Sequence, residues 1–426
     1  MRHPLNQFDE PNRRQFVERC AATAFGLSVV PTASLQADDL KRTEARGNGF
    51  GQAKRVIVLQ LLGGLSQIDS FDPKSGPTKG PGDAIATSAD YQVTEYFPET
   101  AKIADRLCVI RSMSAEVGVH APAQYVMRTA YTALGTIRHP SLGAWAQHYL
   151  GRSHPTMPAS VCVNRRSDQG NGFFPSSYAP LAIGNPADGV RNVRALGGDR
   201  KLNSRVALLN RLDTDFRRKS NDRRVQAYNG YYDDALSLMG SRELAAFDLT
   251  QEPDAIRQTY GDSSFGQGCL LARRLVSSGV RFVEVAHDGW DFHKNLADDI
   301  SEVAPVFDQA YSALINDLSR TGLLESTLVV VATEFGRKPD YAGGGRGHHP
   351  ICFSTVLAGG GVQAGIVHGA SDSAGQYVDG DKVSVGAFHA TIGWAAGLPL
   401  ETEAVSPGGR PFTVGDQEKP VLEILA

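Results

Sequence analysis

Histidine and carboxylate side chains recur where the apolar segments of this chain end. Asp291 and His293 follow Val280–Val285, and Glu334 follows Leu328–Ala332. Further candidates after or between such segments are Ser66, Asp69, His120, His348 and His349. Imidazole nitrogen and carboxylate oxygen together suit zinc, iron or manganese. The pattern predicts a divalent metal site, with zinc as the first choice and manganese, iron and calcium as alternatives.

Each motif alone admits a second interpretation. Asp291 and His293 can bind one ion together, or Asp291 can orient His293 or cap the next helix. His348 and His349 are adjacent, and neighbouring side chains diverge. We therefore expect one to bind metal and the other to contact a ligand or the substrate. Arg337 is expected to pair either with an anionic ligand or with a surface carboxylate.

The elements around these residues indicate an α/β fold. Arg55–Leu62 and Leu328–Ala332 are nearly continuous apolar runs, typical of strands buried on both faces of a parallel sheet. Gln267–Ser278 and Ile300–Thr321 are predicted helices, each followed by a glycine. This alternation predicts a doubly wound, mostly parallel sheet, in which ligands bind at the carboxyl ends of the strands. The polar, glycine-rich segment 165–205 predicts loops over the sheet.

The N-terminal segment has the features of an export signal. Arg13 and Arg14 precede a weakly apolar stretch, and small residues follow up to Ala37. We predict a twin-arginine signal peptide over 1–37, a polar linker over 38–54 and one domain over 55–426. The chain would then meet the twin-arginine export machinery and act in the periplasm or outside the cell. The alternative is a short amphipathic N-terminal helix.

Composition excludes several classes of protein. The net charge of the 426-residue chain is -3, and it contains no basic block, so no nucleic-acid partner is expected. No later segment has the roughly 18 apolar residues that a membrane span needs. The four cysteines beyond the signal are scattered singly, so a thiolate metal site is not expected, while one disulfide stays open.

Several motifs together resemble a known family. They are Gly63-Gly64-Leu65-Ser66, Gly289-Trp290-Asp291-Phe292-His293, Thr333-Glu334-Phe335-Gly336-Arg337, Gly347-His348-His349-Pro350 and Leu357-Ala358-Gly359-Gly360-Gly361. They resemble the exported "domain of unknown function fifteen-oh-one" family, from Arg55 to the C-terminus. That family is similar to the alkaline phosphatase and sulfatase superfamily. The resemblance implies an alkaline-phosphatase-like three-layer α/β/α sandwich, with metal ligands and a nucleophile at the carboxyl edge of the sheet.

Carried over by motif, the resemblance assigns Asp291, His293 and one of His348 and His349 as metal ligands. The chain also departs from the superfamily pattern. Phe335 stands where the Asp-His-Gly motif has its histidine, and Leu62-Gly63 stands where the first strand delivers an aspartate. His120 occupies the approximate place of the nucleophile. One metal position is therefore expected to be kept and the other lost.

Two functions follow as expectations. The first is a metal-dependent hydrolase of phosphate or sulfate esters on an extracellular anionic polymer. In it Glu334 is a further ligand or general base, His120 is nucleophile or acid, and Arg337 steadies the anionic group. Ser66 and Asp69 are additional candidate ligands. The second function is a non-catalytic exported protein that binds glycan or serves as a scaffold.

Overall fold

The computed structural model describes residues 47–165, 170–193, 197–219 and 233–426. Backbone contacts divide the chain after Gly47, and every element described below lies in the second unit, Asn48–Ala426. The predicted signal peptide, 1–37, and residues 38–46 of the predicted linker lie outside the described residues. No helix in the described part combines the length and apolar character needed to cross a bilayer.

Fifteen strands are named here in chain order. They are β1 (Arg55–Leu61), β2 (Ala84–Ala86), β3 (Gln92–Thr94), β4 (Leu107–Ser114), β5 (Ser160–Val163), β6 (Leu181–Ile183), β7 (Phe282–His287), β8 (Thr327–Thr333), β9 (Gly336–Arg337), β10 (His348–His349), β11 (Phe353–Ala358), β12 (Ile366–His368), β13 (Val383–Ser384), β14 (Ala404–Val405) and β15 (Pro411–Phe412).

Eight helices are named in the same way. They are α1 (Pro98–Lys102), α2 (His120–Thr129), α3 (Leu142–Leu150), α4 (Asp199–Lys219), α5 (Asp254–Tyr260), α6 (Ser264–Ser277), α7 (Leu296–Arg320) and α8 (Val385–Ala395).

A nine-stranded sheet forms the centre of the second unit. Its strand order is β12-β4-β11-β8-β1-β7-β5-β6, and β13 pairs with β4. β11 is antiparallel to both β4 and β8, and the other pairings in this sheet are parallel. The strands β1, β4, β7 and β8 therefore end at the same edge. The loops that follow them carry the candidate site.

Helices cover both faces of this sheet, which gives three layers. Side chains of β1 alternate between the two faces: Ile57 and Leu59 pack with α6 and α7, and Val56 and Val58 pack with α3 and α8. Burial on both faces explains why β1 and β8 are nearly continuous apolar runs rather than alternating ones. The predicted three-layer α/β/α sandwich with a mostly parallel sheet is confirmed.

Two of the predicted helices begin earlier than expected. α6 begins at Ser264 because the Ser263 side chain accepts the N–H of Gly266 as an N-cap. α7 begins at Leu296 and contains Pro305. Segment 165–205 was expected to be only loops, which was wrong: β6 extends the sheet beyond β5, and α4 begins at Asp199. A three-residue strand is too short to show a period.

The four cysteines beyond the N-terminal segment are all buried: Cys108, Cys162, Cys269 and Cys352. Trp290, in the loop after β7, is fully buried and packs on Phe97 and Phe307. It therefore anchors the loop that carries Asp291 and His293 to the core beneath it.

Candidate metal centre

Four side chains from one loop, one short strand and one helix start converge at the carboxyl edge of the sheet. They are His120, Asp291, His293 and His348, called the His/Asp cluster below. One potential ligand atom from each lies within 4.8 Å of the other three. His120 opens α2 after β4, Asp291 and His293 follow β7, and His348 lies on β10.

The separations inside the cluster match those of ligands that share one ion. Nε2 of His293 lies 3.0 Å from Nε2 of His348 and 3.1 Å from Oδ1 of Asp291. Oδ1 of Asp291 is 3.5 Å from Nε2 of His348, and Oδ2 is 3.3 Å from Nε2 of His120. Ligand atoms around a tetrahedral zinc with bonds of about 2.0 Å lie roughly 3.3 Å apart.

In His348 and in His120, the ring nitrogen that points away from the cluster forms a hydrogen bond that determines the tautomer. Nδ1 of His348 lies 2.8 Å from the carbonyl oxygen of Gly118, which can only accept, so Nδ1 must carry the proton. Nε2 of neutral His348 then holds a lone pair directed at the cluster. Metal-bound histidines are oriented in this way by a backbone carbonyl or a carboxylate.

His120 is held by the corresponding carboxylate arrangement. Its Nδ1 lies 2.9 Å from Oε1 of Glu334, and the same oxygen accepts the N–H groups of Gly63 at 2.9 Å and Gln124 at 3.2 Å. Because Oε1 of Glu334 accepts these bonds, Nδ1 of His120 carries its proton and donates it in a hydrogen bond to that oxygen. Nε2 of His120 is buried and has no hydrogen-bond partner among the residues that the structure describes. A buried nitrogen in this state fits a ligand of a cation.

Arg337 holds the carboxylate of Asp291 in place. Its guanidinium, 1% exposed, pairs with Oδ1 of Asp291 and donates to the carbonyl oxygens of Gly63, Gly64 and Arg346. Burial alone would raise the pKa of Asp291. The hydrogen bond and charge of Arg337, with His293 and His120, nevertheless hold that pKa below its ordinary value. Asp291 is therefore an anion at neutral pH, as a metal ligand must be.

Phe335 supports the two best-oriented rings. It is fully buried, and its ring centroid lies 5.0 Å from that of His120 and 4.5 Å from that of His348. Burial lowers the pKa of His348, with Arg337 and His120 adding to the effect against the hydrogen bond to Gly118 and the charge of Asp291. A neutral imidazole is the form that binds a metal.

Three other candidate residues lie outside the cluster. Nε2 of His349 hydrogen-bonds to the Gln376 carbonyl oxygen at 2.6 Å. Asp69 forms a fully buried ion pair with Arg346, whose Nε and Nη2 lie 2.7 Å and 3.2 Å from its oxygens. Ser66 donates to the same carboxylate. The Asp69–Arg346 pair fixes the loop that contains Arg346. The carbonyl of Arg346 accepts a hydrogen bond from Arg337, which in turn holds Asp291 of the cluster.

Two contacts of the site were not among the sequence-based candidates. One is Gln124, which lies four residues after His120 on α2 and so faces the same way. This spacing was the available signal. The other is the close approach of the Gly63-Gly64 turn to the loop after β7. A Cβ at Gly63 (φ +122) would lie 2.6 Å from the backbone nitrogen of Asp291. The glycine pair was the signal for that approach.

Comparison with solved structures gives only distant likeness. A sulfatase, PsFucS1 from Pseudoalteromonas sp., is 14% identical, with a TM-score of 0.41 over 88% of this chain and 73% of that one. The alkaline phosphatase from the Antarctic bacterium TAB5 is 13% identical, with a TM-score of 0.33 over 73% of this chain and 92% of that one. Ps i-CgsB is 11% identical, with a TM-score of 0.43 over 82% of this chain and 73% of that one. No curated protein matches the chain in sequence.

One family model matches almost the whole described domain. It is described as "Protein of unknown function (DUF1501)" and matches residues 53–425. The match spans all nine strands of the central sheet and all four members of the His/Asp cluster. The chain therefore belongs to the DUF1501 family of proteins of unknown function.

Proposed function

We propose that the protein is a single-metal hydrolase that cleaves phosphate or sulfate esters, with one divalent ion held by the His/Asp cluster. The observation that carries this proposal is the convergence of three imidazole nitrogens and one carboxylate within 4.8 Å. When bound, such an ion supplies Lewis-acid polarisation of an ester oxygen and lowers the pKa of water. Three nitrogens and one oxygen, without a thiolate, favour zinc over calcium or magnesium.

The residues around the cluster then have distinct roles in the proposal. His120, Asp291, His293 and His348 are the ligands. Glu334, which is 2% exposed, orients His120 and keeps the proton on its Nδ1. The guanidinium nitrogens of Arg337 are already donating to carbonyls and to Asp291, so we assign Arg337 to positioning Asp291 rather than to holding the substrate anion.

The proposed substrate is an anionic polymer outside the cytoplasm. The support for export is the paired arginines and the small-residue stretch at the N-terminus. Side chains of the cluster face the surface, since Asp291 is 44% exposed and His293 is 50% exposed. A centre open at the edge of the sheet can accept one ester group of a long chain.

A non-catalytic binding protein is the second candidate. Among the described residues, no serine, threonine or cysteine side chain hydrogen-bonds to a member of the His/Asp cluster. A covalent route through such a nucleophile is therefore unsupported, and a protein that binds a sulfated or phosphorylated glycan through the ion would need no nucleophile.

Turnover and metal content together test the proposal. Wild type, Asp291→Ala and His293→Ala are loaded with zinc, manganese or iron(II) and assayed on panels of aryl phosphates and aryl sulfates. His368→Ala, a histidine of β12 outside the cluster, is the control. We expect about one metal per wild-type and control chain, and turnover that both cluster variants lose. Equal background rates in all four proteins, with metal bound to wild type and control, would favour the binding protein.

A further inference from the structure

Helix α2 presents three polar side chains on one face. His120, Gln124 and Arg128 are spaced four residues apart, so they lie in one row along the helix. His120 and Gln124 contact Glu334 after β8. Nε of Arg128 donates to Oε2 of Glu284 in β7 at 3.0 Å. The row therefore connects α2 to the loop after β8 and to β7, the strand that leads to Asp291 and His293.

The acidic partner of Arg128 is unusual for its position. Glu284 is the one charged residue in the strand Phe282–His287, and its side chain is 7% exposed. Gln60 of the neighbouring strand β1 also donates to it, at 3.4 Å. A buried ion pair contributes little to stability compared with a well-packed apolar pair, because desolvation offsets its attraction. Stability alone is therefore a weak explanation for the pair.

The first turn of α2, which carries His120, has little apolar packing, since Ala121 and Pro122 are exposed. Of its ten residues only Ala123 and Thr129 are buried, and no side chain caps its N-terminus at Val119. At its other end the Met127 carbonyl accepts from His389 of α8. Met127 also packs against the core, and Tyr125 bonds to His139. The contacts of the row add to these, and they are the ones that join α2 to Glu334 after β8 and to Glu284 in β7.

We propose that Arg128 and Glu284 are a positioning pair for the metal centre. Their bond helps to set where α2 lies relative to β7, which is the strand that leads to Asp291 and His293. It thereby holds His120 at the distance from Asp291 that a shared ion requires. This inference rests on the metal site of the proposed function, but it does not depend on hydrolysis.

A second buried arginine provides a matched control. Arg273 of α6 pairs with Glu252 at 2.7 Å and with Asp317 of α7 at 2.8 Å. Its side chain is 14% exposed, against 12% for Arg128. Asp317 lies 21 residues beyond the start of α7, which is about 30 Å from the end of α7 near the centre. Loss of either arginine breaks a comparable buried pair.

The experiment measures metal affinity by chelator competition in wild type, Arg128→Met, Arg128→Lys and Arg273→Met. It also records the visible absorption of the cobalt(II) forms, which reports ligand geometry. We expect Arg128→Met to bind zinc 10- to 100-fold more weakly, as second-layer changes do, and to have an altered cobalt spectrum. Arg128→Lys should recover part of the affinity, and Arg273→Met should keep both wild-type properties while unfolding more easily.

The possible failures are distinguishable. Wild-type affinity and spectrum in Arg128→Met, or equal losses in Arg273→Met, would overturn the positioning role and leave the hydrolase proposal standing. Tight, Arg128-dependent metal binding without turnover of any ester would support the positioning role and contradict hydrolysis. Absence of stoichiometric metal in the wild type would overturn both.

Discussion

Nδ1 of His120 and Oε1 of Glu334 lie 2.9 Å apart, although 214 residues separate them in the chain. The same oxygen accepts the N–H of Gly63, from the turn after β1. One buried carboxylate thus joins the start of α2, the end of β8 and the turn after β1. The orientation of His120 is set by groups that do not contact the proposed ion.

Glu334→Gln should weaken metal binding without unfolding the protein. The amide has nearly the shape of the carboxylate and keeps one acceptor oxygen. It loses the charge that strengthens the bond from His120. We expect a 10- to 100-fold loss of zinc affinity, measured by chelator competition. Glu325→Gln, an exposed position at the opposite end of β8, should bind zinc as wild type does. Unchanged affinity in Glu334→Gln would show that Glu334 does not orient a ligand.

Arg337→Met should destabilise the fold as well as the site. The change leaves the buried carbonyls of Gly63, Gly64 and Arg346 without this donor. We expect a loss of about 3 kcal/mol in the free energy of unfolding, from urea denaturation. The pKa of Asp291 should also rise, because the hydrogen bond and charge of Arg337 oppose the effect of burial. Arg242→Met, at a side chain 95% exposed, should change stability by less than about 0.5 kcal/mol. Equal stability of the two variants would contradict the account.

Gly63→Ala should be far more damaging than Gly322→Ala. Both glycines have positive φ, +122 and +68. Apart from its chain neighbours, no atom of the described residues lies within 4 Å of a Cβ at Gly322, so alanine there costs about 1 kcal/mol of backbone strain. At Gly63 the Cβ would lie 2.6 Å from the backbone nitrogen of Asp291, and φ is less accessible, so we expect at least about 3 kcal/mol. Urea denaturation of both variants measures the difference, and similar losses would count against the close approach.

The central sheet could be predicted from the sequence because burial on both faces leaves long apolar runs such as β1 and β8. The sequence was a poorer guide to which of the candidate residues come together at the site. His348 and His349 form a two-residue strand, so their side chains point to opposite sides. Only the pairing of that strand with β9 shows which of them faces Asp291. Likewise, Asp69 contacts Arg346 rather than the cluster. These two residues are 277 positions apart, so only the folded chain shows that they meet.

His389 should make the protein less stable in mild acid. It is buried in α8, and burial lowers its pKa from 6.5 to about 4, while its hydrogen bond to the Met127 carbonyl opposes the shift only in part. Because the folded pKa lies below the ordinary value, the unfolded chain takes up the proton first as pH falls. The stabilisation is therefore present above pH 6.5 and is lost between 6.5 and about 4. Between pH 7 and pH 5 the loss from this one group is about 2 kcal/mol.

His389→Gln tests this effect, because glutamine keeps a donor for the Met127 carbonyl but does not titrate. Urea denaturation at pH 7 and pH 5 should show a loss of stability about 2 kcal/mol smaller in the variant than in wild type. A chelator is present throughout, so that acid-induced release of a metal contributes to neither protein. A pair of measurements at pH 8 and pH 7 serves as the control, since the free energy of unfolding should change by nearly the same amount in the two proteins over that range. Parallel losses between pH 7 and pH 5 would mean that His389 is protonated as readily in the folded protein as in the unfolded chain.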